Sequence, residues 1–260
     1  MTTDSVLARF GFVDDSGSAH MARSSMYEEL VQLLDYIEDV AAPAERYRHA
    51  ILEDNCLAKR SGRSRSLTLR HLSDLYTLDP SVPIFRTLRY FWQRDAAGRP
   101  LLALLCAYAR DALLRTSWQF VSGIPYGSAI TRETTEGFLR HVETDRFSAA
   151  TLRSTAQNLN TSWTRSGHLT GRIEKVRTQA HATTGAAAYA YYLAHVSGAR
   201  GLGTFETGYA RLLDCPQDKA IDLAHDASAR GWLRFRRIGD VAEIAFPELL
   251  TTAEQEWLRE

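Results

Sequence analysis

The chain has 260 residues, 31 basic and 31 acidic side chains, a formal net charge of zero, 45% hydrophobic residues and 24% charged ones. That composition excludes a disordered polymer and gives enough chain for one large domain or two to three small ones. Three scattered cysteines (Cys56, Cys106, Cys215) make neither a disulfide framework nor a CxxC metal motif and fit a reducing cytosol.

The elements are mostly helical in period. Ser25-x-x-Glu28 reads as a capping box ahead of Leu30, Leu33, Leu34 and Ile37, which are spaced for one helix face. Pro43 opens a second helix through Tyr47, Ile51 and Leu57 to about Arg60. The segment 61–66 (SGRSRS) reads as a linker, and a short helix with Leu69, Leu72, Leu75 and Tyr76 follows it as far as Asp79-Pro80. A helix over 81–94 carries Val82, Phe85, Leu88, Phe91 and Trp92. Pro100 opens one long apolar helix to about Val121, where Arg110, Asp111 and Arg115 are expected to pair with one another or with neighbours. The apolar run Leu101–Ala109 is far shorter than the about 20 residues of a membrane span. The start Met1-Thr2-Thr3-Asp4 lacks a basic stretch before an apolar one. A cytoplasmic protein with no membrane partner is therefore expected.

The segment 123–127 (GIPYG) reads as a joint between domains. Helices over 134–144 and 149–166 follow, then a short strand over 173–177 and a weakly polar helix over 181–196. Gly198, Gly201 and Gly203 mark a second joint. After it come a helix over 205–213, a helix opened by Pro216 and ended by Gly231, and a hairpin of 233–238 and 241–246 around Gly239-Asp240. The two-residue turn sets Ile238 opposite Val241, Arg236 opposite Glu243, Phe235 opposite Ile244 and Leu233 opposite Phe246, with the apolar pairs on one face. The expected fold is mainly α: a helical bundle core with winged helix-turn-helix units and short β-hairpin wings. It divides into an N-terminal helical domain with a basic linker (1–122), a winged-helix-like middle domain (123–200) and a C-terminal winged helix (201–260).

Charge is segregated along the chain. Net charge is −7 over 1–45, +7 over 46–120, +4 over 121–200 and −4 over 201–260. Residues 55–73 hold no acid but carry Lys59, Arg60, Arg63, Arg65 and Arg70. Residues 147–173 hold none either, and include Arg153, Arg165 and Arg172. Arginine outnumbers lysine 28 to 3. Guanidiniums form paired hydrogen bonds with phosphate and with guanine edges, although codon bias in a GC-rich genome produces the same excess.

No HExxH, GxSxG or GxxxxGK[ST] pattern occurs. His141 and Asp145 stand at i, i+4, a spacing common by chance. No cofactor and no enzymatic activity are expected, although a catalytic site assembled from distant residues leaves no local trace. The nucleic-acid signal is stronger. The helix over 149–166 lines one face with Leu152, Ala156, Leu159 and Trp163, and shows Arg153, Gln157, Asn158, Asn160, Thr161, Thr164 and Arg165 elsewhere. Arg, Asn and Gln are the side chains that reach base edges in pairs of hydrogen bonds, and hydroxyls reach phosphates. Arg172, Lys175 and Arg177 follow on the hairpin-like segment, and Arg234 and Arg237 are the freer cations of the last wing. Against them, Asp218, Asp222 and Asp226 form an acidic stripe on the last recognition-like helix that would repel phosphates or dock a protein.

Three stretches carry a family resemblance: 51–65 (ILEDNCLAKRSGRSR), 101–115 (LLALLCAYARDALLR) and 231–234 (GWLR). They resemble BrxA, a family of small proteins of bacteriophage exclusion (BREX) defence systems, and the likeness runs over about residues 25–250. The resemblance implies a helical, winged-helix-containing protein that binds double-stranded DNA. It also implies work beside a DNA methyltransferase, an ATPase and a phosphatase-like protein. A suggested link to NusB-type antitermination proteins leaves RNA as an alternative ligand, and an assembly adaptor is the alternative role.

Overall fold

A computed structural model describes residues 3–13, 18–142 and 147–259. The start Met1-Thr2, Asp145, and residues 143–144 at the end of the helix expected over 134–144 lie outside them. The N-terminal half is a stack of helices: α1 (Thr3–Phe10), α2 (Tyr27–Tyr36), α3 (Ala44–Leu52), α4 (Gly62–Tyr76), α5 (Pro83–Arg94), α6 (Arg99–Arg110) and α7 (Ala112–Ser122). No helix among the described residues is long and apolar enough to cross a membrane.

Four local expectations are corrected here. Ser25 does not cap α2. Met26 holds the cap position in a left-handed conformation (φ 52°), and no side chain caps the helix. Ser25 is spent on tertiary contacts: its N–H donates to Ser162 Oγ at 2.8 Å and its carbonyl accepts from Tyr76 Oη at 2.6 Å. Helix α3 stops at Leu52, short of Arg60, because Asn55 (φ 49°) turns the chain and bridges both the N–H and the carbonyl of Lys59. The supposed linker over 61–66 is the first turn of α4. Ser61 caps it through a bond from the Ser64 N–H, and the helix runs 15 residues. The helix expected over 100–121 is two helices. Asp111 leaves helical geometry (φ −130°, ψ 113°) and caps α7 by accepting the Leu114 N–H at 2.9 Å.

The middle of the chain adds β1 (Ala129–Ile130), α8 (Arg132–Val142), α9 (Ala149–Arg165), β2 (Leu169–Thr170) and β3 (Lys175–Arg177). The three strands form one antiparallel sheet in the order β1-β3-β2, with Ala129 facing Val176 and Leu169 facing Arg177. Next comes α10 (Thr184–Val196), expected to be weakly polar but buried from Gly185 to Ala194. A helix apolar on every side belongs in the centre of a protein. Tyr189 Oη donates to the Ile84 carbonyl of α5 at 3.0 Å, and Tyr191 Oη to the Ala220 carbonyl at 2.6 Å, so α10 joins the first third to the last. The Asp95 carboxylate seals its start, accepting from Gly185 N–H at 2.9 Å, Ala186 N–H at 3.2 Å and Thr183 Oγ1 at 2.5 Å. Glycine is required at 185, since a Cβ there would lie 2.5 Å from the Asp95 carboxylate.

The last unit is a 3-10 turn (Gly201–Glu206), α11 (Gly208–Arg211), α12 (Gln217–Ala229), β4 (Arg234–Ile238), β5 (Val241–Ala245) and α13 (Thr252–Trp257). The helix expected over 205–213 is thus a short α-helix after a 3-10 turn. The hairpin has the expected register, Ile238 with Val241, Arg236 with Glu243 and Phe235 with Ile244. Leu233, Phe235, Ile244 and Phe246 are buried on one face. A continuous set of buried apolar side chains from Val6 to Leu250 crosses both expected joints.

Candidate nucleic-acid interface

Helix α9 is built to show one polar face. Ser148 caps it by accepting the Thr151 N–H at 3.2 Å. Its inner face packs Leu152, Ala156, Leu159 and Trp163. Trp163 stacks on Trp118 of α7 with ring centres 5.3 Å apart, and its indole N–H donates to Ser117 Oγ at 2.9 Å. The outer face presents Arg153, Gln157 and Arg165 to solvent, with Thr161 half-buried between them and no acid among them. Asn158 and Asn160 are withdrawn from that face. The Asn158 amide donates to the His20 carbonyl at 2.9 Å, and Asn160, 5% exposed, accepts from Thr135 Oγ1 of α8 at 3.0 Å. Asn160 is therefore corrected from a base reader to a brace between α8 and α9.

The hairpin cations also divide. Arg172 stands exposed in the β2–β3 turn, beside Ile173, which is 98% exposed. Lys175 folds back to donate to the Gly171 carbonyl at 2.7 Å, and burial followed by repulsion from Arg165 lowers its pKa. Arg177 is the largest correction. It is 3% exposed and grips Asp214 with two bonds of 2.7 and 2.8 Å. It also donates to the Val121 and His168 carbonyls. Burial opposes the charged form of Asp214, but Arg177 and the Ala180 N–H outweigh it and hold the carboxyl below its usual range. Arg177 fastens the sheet to the chain after α11 and is closed to any ligand.

The segment around the start of α4 comes close to α9 across one short stretch of α2. Glu28 takes Arg165 at 2.6 Å, and its neighbour Glu29 takes Lys59 at 3.0 Å. The two basic regions thus meet at the start of α2, but these two cations arrive neutralised there. Arg60 and Arg63 are exposed with no side-chain partner among the described residues, Arg65 is half-buried, and exposed Arg70 lies 3.9 Å from Asp74. On the last hairpin Arg234 is exposed, and Arg237 Nε bonds the Gly239 carbonyl at 2.9 Å. Arg236 sits opposite Glu243 in register without a side-chain ion pair within 4.0 Å. Asp218, Asp222 and Asp226 all face solvent on α12, as expected.

One constellation was invisible in the sequence. Ser162 Oγ lies 2.9 Å from His20 Nε2, and His20 Nδ1 lies 3.0 Å from Asp111 Oδ2, out of line for a hydrogen bond. The order is that of a hydrolase triad, but the serine cannot act as one. It is 1% exposed, accepts the Ser25 N–H and gives its proton to the Asn158 carbonyl at 2.9 Å. Burial works against the Asp111 charge, yet His20, the Leu114 N–H and Ser18 outweigh it and hold the carboxyl down at about 2. The group is a buried polar brace between the start of the chain, α7 and α9. Its members are 91 and 142 residues apart, so no spacing could have signalled it. Among the described residues no group of three His, Cys, Asp or Glu is placed to hold a metal.

No protein-family model matches this chain, and neither a curated protein nor a solved structure shows significant similarity to it.

Proposed function

We propose that the chain is a non-enzymatic double-stranded DNA-binding protein that contacts mainly phosphates through its middle unit. The observation that carries this reading is the succession α7–β1–α8–α9–β2–β3 with sheet order β1-β3-β2. That succession supports the reading of a winged helix-turn-helix with α9 as recognition helix and the β2–β3 hairpin as wing. The acid-free outer face of α9 supports it, with Arg153 and Gln157 free to bind. Arg172 on the wing, Arg60 before α4 and Arg63 in its first turn add further exposed cations. The resemblance to BrxA supports a place in a bacterial defence system beside a methyltransferase, an ATPase and a phosphatase-like protein.

The test is fluorescence anisotropy with two unrelated duplexes across a salt series. Each phosphate contact adds about −0.9 to the log–log slope on B-DNA. Arg153→Ala with Arg172→Ala should flatten that slope by about 2 on both duplexes. An unchanged slope, or no retention of duplex at low salt, overturns the reading. An RNA duplex of the same sequence decides between the nucleic acids. The C-terminal unit suits a different role: the exposed aspartates of α12 favour docking of a basic protein surface. Charge reversal of Asp218, Asp222 and Asp226 should release a co-purifying partner and leave duplex affinity intact.

A further inference from the structure

Away from α9, a cleft of about 410 Å³ opens between the end of α10, the last hairpin and α13. Its floor is apolar: Ala245, Phe246, Pro247, Leu250 and Leu258. Its rim is cationic: Arg200, Arg234 and Arg259 line it with His195, and no aspartate or glutamate is among the lining residues. Of the two acids of α13, Glu256 is not among the lining residues and Glu254 is turned away. It is buried and takes Arg86 of α5 at 2.7 and 2.8 Å.

The rim guanidiniums have capacity to spare. Arg200 is positioned by Nη1 alone, which donates to the His195 and Ala199 carbonyls at 2.6 and 2.8 Å. Its Nε and Nη2, and the whole guanidiniums of Arg234 and Arg259, have no partner among the described residues. Three like charges around one small cleft repel each other unless an anion sits among them. His195 meets Phe246 edge to face, with ring centres 5.4 Å apart, which gives the cleft a flat wall beside the charged rim. Burial, and then Arg200, hold His195 down at about 4, so the imidazole is neutral at physiological pH and offers one donor and one acceptor.

We propose that this cleft binds a small organic phosphate with a flat apolar body, the class to which nucleotides belong. The phosphates sit among Arg200, Arg234 and Arg259, and the flat part lies against His195 and Pro247. The volume falls within the range of small-molecule sites, and planar guanidiniums are the groups that hold phosphate in pairs of hydrogen bonds. The site is separate from α9, so it stands or falls independently of duplex binding.

Isothermal titration of the full chain with ADP, inorganic pyrophosphate, adenosine and a 5′-phosphorylated duplex tests it. ADP should bind, adenosine should not, and pyrophosphate should bind at least tenfold more weakly than ADP. Arg200→Ala with Arg234→Ala should weaken ADP at least tenfold, while Arg153→Ala leaves it unchanged. Far-ultraviolet circular dichroism establishes that each variant is folded, and His195→Ala, which removes the flat wall, should reduce the preference for ADP over pyrophosphate. Absence of ADP binding at millimolar concentration overturns the proposal. So does equal affinity for ADP and pyrophosphate, or binding of the 5′-phosphorylated duplex end in place of ADP.

Discussion

Arg177→Ala separates the cations that build the fold from those that face solvent. The wild-type pair is bidentate, with side chains 3% and 6% exposed, and the guanidinium also lies 4.8 Å from the Tyr126 ring centre. Removing the arginine leaves the Asp214 carboxylate buried with only Tyr126 Oη at 2.9 Å and the Ala180 N–H at 3.0 Å. Breaking one side of a buried pair costs about 3–5 kcal/mol. The two surviving donors put this case near the lower end, at about 3 kcal/mol. For a chain of this size that corresponds to a fall of about 6 °C in Tm. Thermal and urea unfolding followed by circular dichroism measure the cost, and anisotropy below the new Tm measures duplex affinity. Affinity should stay within about twofold of wild type. Arg177→Met with Asp214→Leu should recover part of the loss, because no unpaired charge remains inside. A variant as stable as wild type that has lost duplex binding would refute the reasoning and return Arg177 to the interface.

Two further outcomes follow from buried groups outside the interface. His168 is fully buried between Trp118 and Trp163, its Nε2–H donating to the Leu212 carbonyl at 3.1 Å, and burial holds its pKa down at about 4. The folded state therefore resists a proton that the unfolded chain takes up near 6.5. The His168 share of stability is complete above that pH and falls by about 3 kcal/mol as pH drops toward 4, and His195, held down to about the same value, loses its share over the same window. Asp111 adds a second loss between about 4 and 2, as its depressed carboxyl is finally protonated. Urea midpoints at pH 7, 5.5 and 4.5 should decline in that order, and a flat series would contradict the His168 assignment. Ser162→Ala strips the Ser25 N–H and His20 Nε2 of their partner and should cost about 1–3 kcal/mol. It should leave duplex affinity unchanged, and a fluorophosphonate probe should not label Ser162 in the wild-type chain. Labelling there would make the brace a working nucleophile.

What was legible in the sequence was local physics. The last hairpin's register follows from a two-residue turn and a period of two, and both depend only on residues within one short segment. The span of α9 and its cap at Ser148 were readable for the same reason, as was the apolar stripe that orients it. The misreadings share one cause. Ser25-x-x-Glu28 has the composition of a capping box, but Ser162 and Tyr76 outbid the helix end for Ser25 from 137 and 51 residues away. The SGRSRS run has the composition of a linker, but Ser61 is a good cap and α4 packs against α3 and α6 once it forms. Helix α10 looked weakly polar because its tyrosine hydroxyls count as polar until their carbonyl partners on other helices are known.

The same distinction decides how a charged patch should be read from sequence. Arg153, Arg165, Arg172 and Arg177 stand on one acid-poor stretch and carry equal charge, yet they meet three fates. Arg177 is buried on a carboxylate 37 residues ahead, and Arg165 is tied to Glu28 at half exposure. Arg153 and Arg172 stay open. An acid-free run guarantees only that no carboxylate is adjacent in the chain. It says nothing of carboxylates that folding brings in, and these come from the acidic ends: Glu28 and Glu29 from the first segment, Asp214 from the last. Segregation of charge along the chain is therefore partly a device for assembly, with acidic ends closing onto a basic middle. The cations left over after that closure, Arg60, Arg63, Arg153 and Arg172 among them, are the ones open to a polyanion, and the duplex-binding experiment turns on Arg153 and Arg172.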